Sequence, residues 1–151
     1  MSNFRIEAYN SKNSGELLNM MEEFYEMFNY PYDRELNVKS IEDLQLNPDL
    51  GFLFMLFSGG TPVGYMALCF GFSFGINGRG LLLDEIYIRK SHVKMGLGKQ
   101  CISFIDELAK KEGLKAVILE VENDNERAIQ LYHKSGYKRR NQTVMTKTID
   151  P

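Results

Sequence analysis

The chain reads as an α/β protein: one mixed, mostly antiparallel sheet with helices on both faces. Three observations predict this. Residues 52–89 hold three apolar, aromatic-rich runs separated by glycine turns, the pattern of an antiparallel meander. From residue 96 the apolar period becomes helical, and the continuous apolar run 116–121 follows, as in a β-α-β crossover. The 151 residues, 44% hydrophobic and 25% charged, fill one core and leave too little for two, so residues 1–151 are expected to form a single domain.

Each element has its own signal. Phe4, Ile6 and Ala8 alternate with Arg5, Glu7 and Tyr9, which predicts a short strand. Ser14 is a candidate cap for a helix carrying Leu17, Met20, Met21, Phe24, Met27 and Phe28, ended by Pro31. Ser40 is a candidate cap for a second helix through Leu46. Strands are expected at 52–57, 63–74 and 81–89, with turns at Ser58-Gly59-Gly60-Thr61 and Asn77-Gly78. Leu97, Cys101, Phe104, Ile105 and Leu108 make one helical stripe, closed by Gly113. The run 116–121 reads as a strand buried on both faces, and residues 125–135 as a helix closed by Gly136. Two last strands are expected at 137–140 and 144–149, giving the order β-α-α-β-β-β-α-β-α-β-β.

Charge and cysteine usage exclude several function classes. Lys plus Arg is 18 and Asp plus Glu is 20, a net charge of −2 with no basic stripe, which argues against a nucleic-acid partner. Cys69 and Cys101 form no metal-type pair and no disulfide framework; they read as two buried core thiols, and a reducing, cytoplasmic setting is expected. No metal site is expected. Residues 1–10 lack the apolar run of a signal peptide, and no stretch is long enough to span a membrane.

The informative segment is Asp84-Glu85-Ile86-Tyr87-Ile88 followed by Val93-Lys94-Met95-Gly96-Leu97-Gly98-Lys99. A strand runs into a glycine-bearing turn that opens a helix, and free amides at a helix start form an anion site. Lys94 and Lys99 add local positive charge. Cys101 stands where a dinucleotide fingerprint needs its third glycine, and Val93 and Gln100 break the nucleotide-triphosphate pattern.

Three blocks in this order resemble the GNAT-type N-acetyltransferases. They are Leu83-Asp84-Glu85-Ile86-Tyr87-Ile88, then Val93-Lys94-Met95-Gly96-Leu97-Gly98, then Asn125-Glu126-Arg127-Ala128-Ile129-Gln130-Leu131-Tyr132-His133-Lys134-Ser135-Gly136-Tyr137, matching the family's Asn-x-x-Ala-x-x-Leu-Tyr-x-Lys-x-Gly-Phe. The family's Arg or Gln in the turn is replaced by Val93. The resemblance implies acetyl-CoA as co-substrate, its pyrophosphate over the amides of Lys94 to Lys99 and its pantetheine arm against the backbone of Ile86, Tyr87 and Ile88. Asn125 matches a cofactor-contacting asparagine and is also a candidate helix cap.

The resemblance also implies direct attack of an amine on the thioester. Tyr132 matches the tyrosine that protonates the leaving thiolate; read from spacing alone, it is a packed helix aromatic. Asp84 and Glu85 are the carboxylate candidates for the general base, and as strand neighbours they are expected to face opposite sides. Read structurally, each would pair with a cation such as Arg79 or Arg89. The carbonyl donor would be the amide of Tyr87 or Ile88. Glu22, Glu26, Tyr30, Tyr32 and Asp33 suit a cationic acceptor, and they also suit a solvated helix face. The run Phe70-Gly71-Phe72-Ser73-Phe74 reads as sheet core or as the surface of a homodimer. The function expected is transfer of an acetyl group to a primary amine of a small molecule or peptide; the alternative is a non-catalytic acyl-CoA-binding sensor or scaffold.

Overall fold

The structure, a computed structural model, describes residues 3–150. Its elements follow the order β1 (Phe4–Ala8), α1 (Ser14–Met27), α2 (Arg34–Leu46), β2 (Gly51–Ser58), β3 (Thr61–Ser73), β4 (Gly78–Ile88), α3 (Leu97–Lys111), β5 (Val117–Leu119) and α4 (Glu126–Lys134). The strands lie side by side in sequence order; β1 to β4 are antiparallel and β5 runs parallel to β4. The chain divides into two compact units, one ending at Glu120 and the other beginning at Val121.

In the first unit, strand alternation sorts the core into two layers. Leu53, Met55, Phe57, Tyr65, Ala67 and Tyr87 pack against Leu17, Leu18, Met20 and Met21 of α1 and Ile41 of α2. Phe54, of opposite parity on β2, meets Phe104 of α3 edge-on at 4.9 Å, so α3 covers the other face. Leu97, Cys101, Ile102 and Ile105 are the buried stripe of α3. Fully buried side chains of this size each contribute about 1.5–3 kcal/mol.

Three helices end in the same way. Asn29, Gly113 and Gly136 adopt positive φ of 56°, 68° and 95°. Each lies just past its helix, and the next amide bonds back to a carbonyl one turn inside: Tyr30 to Tyr25, Leu114 to Ala109, and Tyr137 to Tyr132. The two glycine stops agree with expectation. α1 is stopped by Asn29, ahead of Pro31.

Other expectations are corrected. The second helix is capped by Asp33, whose Oδ1 accepts from the Leu36 amide at 3.1 Å, so Ser40 lies inside it. The aspartate wins because its acceptor sits where the first-turn amides are unpaired. β5 is only three residues long and Ile118 is 38% exposed, so it is not buried on both faces. Cys69 is only partly buried. The aromatic run splits: Phe70 packs on Phe52 at 5.1 Å, whereas Phe72 and Phe74 are 67% and 86% exposed.

The two final strands are not formed. Among the described residues, those after Lys134 lie in no helix or strand, and Val144, Met145 and Ile149 are exposed. Their alternation is real, but a strand is defined by a ladder partner, and none is paired with these residues. No helix among the described residues is long and apolar enough to cross a membrane.

Gly64 allows β3 and β4 to approach. A Cβ there would overlap the Tyr87 carbonyl oxygen and crowd Leu56 Cδ1 at 2.9 Å. Gly64→Ala should cost about 1–3 kcal/mol by overpacking. Gly71→Ala on the same strand, with nothing within 4 Å, should stay within about 0.5 kcal/mol. Urea denaturation of the two variants checks the contrast.

Candidate active site

A bulge in β4 governs the site. Cys69 pairs with Leu82, Leu68 with Leu83, and Ala67 with Glu85, so β4 spends three steps where β3 spends two. Asp84 is the extra residue. Because the bulge resets the alternation, Asp84 and Glu85 both turn to the sheet face that carries α1 and α2. The expectation that they oppose each other fails here, since it assumed a regular strand.

Among the described residues, neither carboxylate pairs with an arginine. Tyr25 of α1 donates to Glu85 Oε2 at 2.8 Å, and Tyr65 of β3 donates to Glu85 Oε1 at 2.8 Å. Burial raises the Glu85 pKa, the two phenols act against that rise, and Asp84 adds to it by repulsion. Asp84 is raised by desolvation alone and makes no hydrogen bond or ion pair among the described residues. Tyr25 and Tyr65 are raised by burial and then by Glu85, which keeps them neutral donors.

The arginines are engaged elsewhere. Arg89 bridges to Glu16 at 3.1 Å and Glu23 at 3.3 Å, and it donates to the Pro62 carbonyl at 3.0 Å. Tyr87 donates to the same Glu23 at 2.9 Å, and burial followed by that bond raises its pKa to about 12. Arg79 lies 4.3 Å over the Phe70 ring. Glu22, Glu26, Asn29, Tyr30, Pro31 and Tyr32 line an open cleft at the α1–α2 turn.

The outer edge of β4 opens at the same bulge. Among the described residues, β5 pairs only with Leu81, Leu82 and Leu83. The Arg89 amide bonds to the Val63 carbonyl on β3 at 2.8 Å. Antiparallel pairing alternates, so Tyr87 also turns its amide to β3, while Ile86 and Ile88 turn theirs to the open edge. Of the two expected carbonyl donors, Ile88 faces outward and Tyr87 does not.

The turn after β4 leads into α3. Lys94 and Gly96 both adopt positive φ, 68° and 76°, and Gly96 occupies the cap position. No side chain caps this helix end among the described residues, which leaves the amides of Leu97, Gly98 and Lys99 uncapped. Of the expected binding turn, Val93, Lys94, Met95, Gly96, Leu97, Gly98 and Lys99, the last three thus offer first-turn backbone donors, and Lys94, Met95, Gly96 and Lys99 are exposed. The Cys101 thiol, one turn further in, is pushed up to about 12 by burial and is no nucleophile.

Asn125 and Tyr132 belong to the second unit. Asn125 Oδ1 caps α4 by accepting from the Ala128 amide at 3.3 Å. Tyr132 is buried, its ring 5.6 Å from that of Tyr137. His133 follows it on α4, exposed.

Residues 17–137 match the sequence profile of the acetyltransferase (GNAT) family. The chain belongs to that family. Solved structures with the same fold include the integron cassette protein HFX_CASS3 from the mobile metagenome of Cole Harbour salt marsh, 20% identical with a TM-score of 0.84 over 97% of this chain and 91% of that one. A possible acetyltransferase from Clostridium difficile 630 is 17% identical, with a TM-score of 0.82 over 97% and 99%. The aminoglycoside N-acetyltransferase AAC(6')-Iy, solved in complex with CoA, is 13% identical, with a TM-score of 0.82 over 98% and 96%. These are likenesses of fold: a GNAT mixed sheet of five strands with helices. Among curated protein sequences, none matches.

Tyr25 and Tyr65 were not singled out as site residues from sequence. Tyr25 is half-buried on α1 and Tyr65 lies inside a buried strand, where a hydroxyl must find a partner. That requirement is the signal in the sequence; the partner's identity is not.

Both carboxylates bind protons more tightly in the folded chain than unfolded. Stability from this source is full below the ordinary carboxylate range and is lost as pH rises through the raised value. Asp84→Asn should therefore be more stable than the parent at pH 7, with the gap closing near pH 4. Denaturation midpoints at the two pH values check this.

Proposed function

We propose that the protein is an N-acetyltransferase that moves the acetyl group of acetyl-CoA to a primary amine by direct attack. One observation carries the reading. A single strand, turn and helix unit holds two carboxylates on one face, open-edge amides at Ile86 and Ile88, and an uncapped helix start. Those are the parts that amine acylation by a phosphate-bearing thioester requires.

The donor set fits an anion. Three uncapped amides, the positive end of a 15-residue helix and two exposed lysines converge, with no carboxylate in the turn itself. Val93 adds no polar group, so the array relies on backbone. The CoA complex of the AAC(6')-Iy structure, which shares the fold, supports the choice of CoA as that anion. When bound, acetyl-CoA would supply an activated acetyl thioester.

The chain's residues then divide the work. Lys94 to Lys99 would hold pyrophosphate, with Asn125 adding a contact as in the family motif. The edge of Ile86, Tyr87 and Ile88 would align the pantetheine arm as an added strand, with the outward amide of Ile88 polarising the carbonyl. The carboxylate face would receive the amine's proton. Tyr132, which completes the third motif, would donate a proton to the departing thiolate.

Three measurements test this. Following free CoA release with a panel of amines should show turnover; acetyl-CoA binding without turnover on any amine would favour the non-catalytic module. Gly96→Asp places a negative charge at the anion site and a β-carbon at φ 76°. It should weaken acetyl-CoA binding in calorimetry by on the order of a hundredfold, about 3 kcal/mol. Tyr132→Phe should lower kcat about a hundredfold and leave the KM for acetyl-CoA close to that of the parent.

A further inference from the structure

We propose that Tyr25 and Tyr65 are positioning residues that hold Glu85 as a fixed carboxylate, and that the unencumbered Asp84 beside it takes the proton from the acceptor amine. This rests on the acetyltransferase reading and assigns the parts within its carboxylate face.

The argument is geometric. Each Glu85 oxygen already accepts a 2.8 Å bond, one from helix α1 and one from strand β3. Protonating Glu85 would remove an acceptor from a phenol that has no other: Tyr65 is fully buried. Asp84 carries no such bond and is exposed. The bulge brings the two carboxylates to one face, so the fixed charge of Glu85 can attract an ammonium group while Asp84 stays free to receive its proton.

The charged and titratable groups around the pair support the division. Tyr25 faces it from α1, Tyr65 and Cys69 from β3, and Tyr32 stands behind Tyr25 with ring centroids 5.7 Å apart. All are neutral, and no cation pairs with either carboxylate among the described residues. In the step itself, the ammonium group gives one proton to an Asp84 oxygen, which frees the nitrogen lone pair, and the N–C bond then forms. The C–S bond breaks, its electron pair goes to sulfur, the acid protonates the thiolate, and the second proton lost from nitrogen restores the acid. Tyr25 and Tyr65 keep their protons throughout.

The test uses the full chain, with carboxyl-¹³C-labelled Asp and Glu assigned through Asp84→Asn and Glu85→Gln. In Tyr25→Phe and Tyr65→Phe, loss of one donor should move the Glu85 midpoint up by about one pH unit in NMR titration. A purely structural role would shift the melting temperature and leave the midpoint where it is, and that result overturns the clamp. Acetyl transfer from acetyl-CoA to neamine, spermidine and Nα-acetyl-lysine amide reads the second part. Asp84→Asn should lower kcat about a hundredfold and flatten the acidic limb of the pH profile. Glu85→Gln should act mainly on the KM for the amine. The opposite pattern, with the limb lost in Glu85→Gln and kept in Asp84→Asn, overturns the proton assignment. Absence of acetyl-CoA binding in the parent chain would be a failure of the acetyltransferase reading and would take the proton assignment with it; the titration would still decide the clamp.

Discussion

The extra residue at Asp84 is the constraint on which the site depends. A regular β4 would put one carboxylate under α1 and the other under α3. One inserted residue changes that. It turns Asp84 and Glu85 to the same side, and it coincides with the point where β5 pairing stops after Leu83. The carboxylate face and the open backbone edge thus meet at one place in the chain geometry, before any side chain is considered.

Around that bulge, α1 is fixed to the sheet by polar links as well as by its apolar stripe. Tyr25 reaches Glu85, and Glu16 and Glu23 reach Arg89, so one helix holds both Glu85 on β4 and Arg89 just past its end. Bonds to partly buried charged groups are worth more than exposed surface pairs. Tyr87, between the two links, joins the second through Glu23. The face of β4 that carries chemistry is thereby held by the same helix whose Leu17 and Met20 complete the core.

Most of the sheet was legible because its signals are local. Gly59-Gly60 turned the chain between β2 and β3, Gly113 stopped α3, and the strand, turn and helix around Gly96 stood where the motif put them. What was hidden depends on pairing. The bulge is a mismatch between two strands and has no signature in β4 alone, so Asp84 and Glu85 looked like ordinary alternating neighbours. Residues 144–149 alternate convincingly, yet alternation describes a strand's faces and says nothing of a partner for its backbone. Ser40 and Asp33 were both chemically able to cap; the fold of the preceding turn chose between them.

The stop at Asn29 has a wider consequence. Its left-handed turn returns the Tyr30 amide to the Tyr25 carbonyl, so the end of α1 and the residue that grips Glu85 are one local structure. The cleft beside it is lined by Asn29, Tyr30, Pro31 and Tyr32. Reshaping that cleft would tug on the phenol that steadies Glu85. The shape of that cleft and the proton affinity of Glu85 are therefore linked traits in this chain, and a change in one would carry the other with it.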